Sequence, residues 1–259
     1  MKNIRLWLIL TANSFQQMLA NKAAVFIFVF GKSLRILLFT YFLSLIFKNS
    51  GYLGDFSRDQ IIFFYLSFNL LDTFAQLFFR EVYRFRSIII NGNFDYILTK
   101  PVNPLIRVLV GGADVFDLII GIILIVITVW FGITRLHPSL LSGVSYLLLL
   151  GNGFLIAAAF HILVLSLGIL IFSIDHLVMI YRDLTSLMRI PVDLYTEPLR
   201  SLLIFVIPLG VMFTFPAKAL MGLLLPEALL LSLFSGLLVL AISLRIWHAS
   251  LRFYQSASS

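Results

Sequence analysis

Asn91-Gly92-Asn93-Phe94-Asp95-Tyr96-Ile97-Leu98-Thr99-Lys100-Pro101-Val102-Asn103-Pro104 is a polar island in a chain otherwise oily enough to live in lipid. An Asn-Gly turn dipeptide opens it and two prolines close it. Between them stand Phe94, Tyr96, Ile97 and Leu98, a dense apolar cluster for a water-facing loop. The island separates two long apolar runs. Reading it as a loop makes those runs separate membrane spans, and its apolar content marks it as a surface shaped to touch something.

Composition supports that reading. Hydrophobic residues are 61% of the 259 and charged residues only 12%, against about 25% charged in soluble domains. Mean hydropathy is +1.04. The chain reads as an all-α polytopic membrane protein, a single domain over residues 1–259. There is room for roughly six spans of ~20 residues and none for a sizeable water-soluble domain. The absence of cysteine excludes disulfides, thiolate catalysis and Cys-ligated metals. The net charge of +7 follows from Lys and Arg collecting in cytoplasmic loops, so no nucleic-acid partner is expected.

Working outward, the candidate spans are 24–47, 60–80, 114–134, 143–172 and 227–247. Each is long enough at 1.5 Å per residue to cross a ~30 Å hydrocarbon core. Lys2 and Arg5 make a basic start, but the apolar run Leu6–Leu10 breaks at Thr11-Ala12-Asn13-Ser14, too early for a signal peptide. Residues 3–21 read instead as an amphipathic helix in the membrane interface, within an interfacial segment 1–23.

Residues 173–226 allow two readings. One places the fifth span at 201–222. The other places a polar fifth span at about 174–192, then a re-entrant hairpin over 193–223, punctuated by Pro191, Pro198, Pro208, Pro216 and Gly222. The prolines favour the second, because such breaks are tolerated at membrane depth where protein covers the backbone. Both readings give six crossings. Orientation follows from the basic residues: Lys2, Arg5 and Lys22 before span one; Arg80, Arg84, Arg86, Lys100 and Arg107 between spans two and three; Arg245 and Arg252 at the end. The opposite loops hold only Lys48, Arg58 and Arg135. Both termini and the 81–113 loop are therefore expected in the cytoplasm. No internal repeat supports an inverted-repeat secondary transporter.

Little in the chain carries reaction chemistry. Gly31-Lys32-Ser33 resembles the tail of a phosphate-binding loop, but Phe26 stands where that loop needs glycine. His137, His161, His176 and His248 are scattered and show no metal-ligand spacing. Ser145 and His161 sit on one predicted span, ~24 Å apart along its axis, and cannot form a protease dyad. Lys32 and Arg35 share a helix face inside span one. A mid-bilayer charge is costly unless it faces protein or water. With Asp72 of span two as a partner, the pair is a candidate lining for a translocation path.

The 91–104 island resolves further. Asp95 falls in the first turn of a short helix, where its charge suits the helix dipole, and Pro101 ends that helix by biasing Lys100 out of the α region. Such a helix either lies on lipid headgroups or docks a soluble partner.

Ile88-x-x-x-Gly92-x-Phe94-Asp95-x-x-Leu98-x-Lys100-Pro101, six predicted spans, and the late pattern Pro191…Tyr195-x-x-Pro198-Leu199…Ile207-Pro208…Phe215-Pro216-Ala217-x-x-Leu220-x-Gly222 together resemble the ABC-2 type permease family, in its branch of paired permease subunits. The likeness covers nearly the whole chain, and the two patterns together are more specific than either alone. It implies a membrane subunit of an ATP-driven transporter, an exporter, in the bacterial inner membrane. It also implies a second copy or a sister permease, and a separate ATPase subunit that holds ATP and Mg, with no cofactor on this chain. The coupling helix would be the 91–104 segment, with Gly92, Phe94, Asp95, Tyr96, Leu98, Lys100 and Pro101 as coupling residues and Arg84 and Arg86 steering an acidic partner surface. The prolines would mark the re-entrant region. The departure from the family pattern is the polar pair Lys32 and Arg35. The rival readings are an energy-independent channel or secondary transporter working through Lys32, Arg35 and Asp72, and a membrane scaffold or insertion factor.

Overall fold

The computed structural model describes residues 2–19, 22–47, 52–171 and 174–255. Lys48, counted above for orientation, lies outside them. The described chain is helical apart from one short antiparallel ladder, β1 (Tyr52–Leu53) with β2 (Phe56–Ser57), in which Tyr52 pairs with Ser57 and Leu53 with Phe56.

Helix α1 (Lys2–Leu19) precedes α2 (Lys22–Ile46). The ladder leads into α3 (Arg58–Phe79), started by a reciprocal cap: Ser57 Oγ accepts from the Gln60 amide, and Gln60 Oε1 accepts from the Ser57 amide. A 3₁₀ segment (Arg80–Arg84) carries the chain into α4 (Phe85–Ile90), α5 (Asn93–Thr99) and α6 (Pro104–Leu109). Helix α7 (Val115–Phe131) starts on an Asp114 cap, which accepts from the Phe116 amide at 2.8 Å, and ends in a π-helical turn (Gly132–Leu136). Then come α8 (Leu140–Ile171), α9 (Ile174–Leu187), α10 (Leu199–Ser201) with a π-helical extension (Leu202–Val206), α11 (Phe215–Leu220) after a π-helical turn (Gly210–Thr214), and α12 (Pro226–Ser250).

Among the described residues five helical segments are long and apolar enough to cross a membrane: Val25–Ile46, Arg58–Ile90, Phe116–Leu136, Leu140–Ile171 and Pro226–Phe253. They correspond to the five apolar runs read from the sequence. A sixth is reached if the bent pair Leu199–Val206 and Gly210–Leu220 counts as one; its arms meet at 80°. The expected span at 174–192 is helical only over Ile174–Leu187. That is ~21 Å of helix, short of the hydrocarbon thickness, because the chain leaves the helix ahead of Pro191.

Residues 174–194 nevertheless run from one end of the bundle to the other. Asp175 pairs with Arg86 beside α4 at 2.6 Å. Tyr181 packs edge-on to His161 of α8, centroids 4.6 Å apart. Leu194 reaches the ladder, where a Cβ on Gly54 would meet it at 2.8 Å. The bent pair then packs inward. Val192 donates its amide to Thr214 at 3.0 Å, and Asp193 accepts from Arg200 at 3.1 Å and Lys218 at 2.8 Å, tying both arms to the 3₁₀ turn (Val192–Leu194) that precedes them. Gly153 of α8 lets the Met212 carbonyl approach so closely that a Cβ there would sit 2.6 Å from its oxygen.

The core runs through α3, whose Ile61–Leu71 stretch is wholly buried. Phe63, Phe64, Phe213, Ile156 and Leu165 are among its fully enclosed side chains. Helices α2 and α12 flank it, adding Ile36, Leu43 and Trp247 to the core, and expose apolar rows such as Phe26, Phe30, Leu37 and Tyr41 on α2, and Leu230, Phe234 and Leu237 on α12.

Candidate functional site

At the end of the bundle opposite the ladder, α5 is cut out by local signals. Gly92 adopts φ +69°, a left-handed conformation that suits glycine, and stops α4 with its amide on the Ile89 carbonyl at 3.0 Å. Lys100 turns extended (φ −81°, ψ 147°) ahead of Pro101. Asn103 caps α6 by accepting from the amides of Leu105 and Ile106. The helix spans Asn93–Thr99, ending where Pro101 biases Lys100 out of the α region.

The two apolar faces of α5 do different things. Phe94 is fully buried, 0% exposed, and enters an aromatic seat formed by Phe85 (5.2 Å), Tyr254 (5.0 Å) and Trp247 of α12 (6.4 Å), all edge-on. Ile97 is buried beside it. Tyr96 is 68% exposed and Leu98 38%, and Ile90 of α4 is exposed as well. Asp95 faces the Tyr254 phenol, which burial and that carboxylate push up to about 12; the phenol therefore stays protonated at neutral pH. Phe94 is thus inside the chain's own core, while Tyr96, Leu98, Lys100 and Pro101 face outward. Arg86 is engaged with Asp175, and Arg84 with Glu81 at 3.5 Å. Glu81 also holds Arg107 at 3.0 Å, joining α6 to the 3₁₀ segment.

The proposed trio Lys32, Arg35 and Asp72 does not converge. Lys32 is buried and donates to Asp117 of α7 at 2.5 Å. Arg80 reaches Asp114 at 3.3 Å and Asp117 at 3.7 Å, under the ring of Phe28 at 5.9 Å. Two cations face two buried carboxylates, so their formal charges cancel. The sequence signal for this network was Asp114 and Asp117 opening an apolar helix, where carboxylates need partners. Beside it, Ala113 donates its amide to Thr11 of α1 at 3.3 Å, and Trp7 stacks on Phe78 at 5.9 Å.

Arg35 and Asp72 instead share a small polar cleft of about 60 Å³ between α2, α3 and α9, with Asn69, Gln76, Arg182 and Arg189. Asp72 accepts from Gln76 at 2.8 Å. A far larger apolar groove of about 830 Å³ runs between α3, α7 and α8, lined by residues such as Phe74, Val129, Leu147 and Phe154. Its lining is almost wholly apolar.

In the late region Pro191, Pro208 and Pro216 are buried, Pro198 is exposed, and Gly222 takes φ +70° in open space where the chain turns toward α12. Among the described residues no group of three His, Cys, Asp or Glu is arranged to hold a metal. Gly31-Lys32-Ser33 lies within α2 as regular helix.

Comparison with known proteins converges with this architecture. The family model for ABC-2 family transporter proteins matches residues 34–258. No curated protein and no solved structure matches the chain. With five helices among the described residues long enough to span a membrane, and a family match over most of its length, the chain belongs to the ABC-2 transporter family as a membrane permease component.

Proposed function

We propose that this permease is the membrane subunit of an ATP-driven exporter, moved by a separate ATPase subunit that docks on α5. The observation that carries the reading is the division of labour within that helix. Tyr96 and Leu98 are presented outward while Phe94 is plugged between Phe85, Trp247 and Tyr254. A load applied to the outer face passes through the Phe94 plug to the end of α12, and through α4 and the 3₁₀ segment to α3. Rigid-body motion of packed elements is a common form of such coupling. ATP and Mg would reside on the partner, and the cleft beside α2 would border the path between this subunit and a second copy or sister permease.

The same reading places both termini and α5 in the cytoplasm of a bacterial inner membrane, following the basic residues. Residues 174–194 make the fifth crossing and the bent pair is a re-entrant hairpin on the far side. End-to-end passage of 174–194, with Asp175 at Arg86 and Leu194 at Gly54, supports this. The rival of a channel or secondary transporter worked by Lys32, Arg35 and Asp72 loses support, because Lys32 is neutralised by Asp117 away from the cleft.

The test is capture of the ATPase by tagged permease. Tyr96→Asp with Leu98→Asp should abolish ATPase co-purification and leave thermal unfolding in detergent within about 0.5 kcal/mol, as expected for surface changes. Phe94→Ala should instead lower stability by about 3–5 kcal/mol, the range for emptying a buried Phe site. Full ATPase recovery with the Tyr96/Leu98 variant would place the docking surface elsewhere.

A further inference from the structure

Three arginines converge where the chain supplies one carboxylate. Arg35 of α2, Arg182 of α9 and Arg189 just beyond it line the polar cleft with Asn69, Asp72 and Gln76. Among the described residues none of the three guanidinium groups makes an ion pair or a hydrogen bond. Asp72, the one acidic residue of the lining, already accepts from Gln76. The cleft therefore carries two formal positive charges in excess, midway along α2 and α3. The contrast with Lys32 and Arg80 is informative. Those cations, one helical turn and one bundle level away, are matched by Asp114 and Asp117. In the cleft the excess charge is left unmatched.

Arg35 also borders an exposed apolar face. A shallow, open groove follows the surface of α2 itself past Gly31, Leu34, Leu38, Phe39 and Phe42. A Cβ on Gly31 would meet nothing within 4 Å, so the groove floor there is open. Polar cleft and apolar groove thus meet at one arginine. The cleft's volume is about that of two waters at ~30 Å³ each, room for a small charged group and not for a sugar. A guanidinium fork matches phosphate or carboxylate oxygens in pairs.

We propose that cleft and groove together bind an anionic amphiphile, its phosphate or carboxylate head against Arg35, Arg182 and Arg189 and its apolar chain along α2. Calling that molecule the cargo rests on the permease reading; its binding does not.

The experiment is equilibrium binding of radiolabelled oleoyl lysophosphatidate to the purified permease in a neutral maltoside detergent. Unlabelled oleate should compete. Oleoyl lysophosphatidylcholine, whose ammonium offsets the phosphate charge, and inorganic phosphate, which lacks the acyl chain, should each compete at least about tenfold more weakly. Arg35→Gln with Arg189→Gln should weaken binding by a similar factor or more. Arg245→Gln with Arg252→Gln, which removes the same charge from the end of the chain outside the cleft, should not change it. Equal loss in both double variants would reduce the effect to general charge attraction and overturn the proposal. Phosphate competing as well as the lipid would replace the amphiphile with a free anion, and equal competition by the choline lipid would leave only the apolar groove. If the arginine variants fail to fold, the competitor series on the unaltered chain still decides. Binding without ATPase capture keeps this inference and removes the coupling; capture without binding does the reverse.

Discussion

Lys32 and Asp117 set the energetic problem of this chain at the scale of single residues. Two charges removed from water lose hydration that mutual attraction restores only when the geometry is good. Here Lys32 lies on Asp117 at 2.5 Å, and Arg80 adds a second contact from the side. Removing one partner strands the other. Lys32→Met should therefore cost about 3–5 kcal/mol of stability, read as a lower unfolding midpoint in detergent. Asp117→Leu leaves Lys32 bare and should cost a similar amount. The double variant should recover much of the loss, because an apolar pair of similar volume often replaces a buried ion pair at little cost. An additive double variant would mean that each residue acts through other neighbours, with Arg80 and Asp114 the first to check. The pairing was not legible in the sequence. Lys32 and Asp117 are 85 positions apart, and a charge inside an apolar run announces only that a partner exists. Asp72 was the nearer guess, and it sits in a different cleft with Arg35.

Helices carry their own logic one level up. The contact between α8 and the turn before α11 is set by backbone approach, since the Met212 carbonyl occupies the space a side chain at Gly153 would need. Leu71 closes the same gap at 2.9 Å. Gly153→Ala should push the bent pair off α8 and lower stability by roughly 1–3 kcal/mol, as overpacking does. Gly151→Ala, two residues earlier with nothing within 4 Å, should be neutral or stabilising by up to about 1 kcal/mol from reduced backbone freedom. Thermal unfolding of the two variants under one condition gives opposite signs if the packing is as described. Most helices were readable beforehand, because a long apolar run has few alternatives. The ends of α5 were readable too, since Asn91-Gly92 and Lys100-Pro101 are local instructions. Which side of α5 faces inward was not readable. Over two turns Phe94, Ile97, Tyr96 and Leu98 are all apolar, and the seat that selects Phe94 comes from Trp247 and Tyr254, far along the chain. Helix α9 was hard for the opposite reason: its polar residues lower its hydropathy, yet Tyr181 and Thr185 are buried against protein.

Over the whole molecule, the question is where the chain changes side between α8 and α12. If residues 174–194 cross and the bent pair re-enters, Thr196 and Leu223 lie on the same side as Tyr52 of the ladder. If the bent pair is itself the crossing and α9 lies flat at the α5 end, Thr196 stays with α5 while Leu223 joins Tyr52. The contacts favour the first arrangement, because Leu194 already abuts Gly54 in the ladder turn and Asp193 ties both arms of the pair to that level. The chain has no cysteine, so single substitutions give clean labels. Tyr52→Cys, Thr196→Cys and Leu223→Cys are all at exposed positions, and Leu98→Cys marks the α5 end. In sealed, right-side-out vesicles a membrane-impermeant maleimide should label the first three, and should reach Leu98→Cys only after permeabilisation. Protection of Thr196→Cys together with Leu98→Cys would reject the re-entrant hairpin.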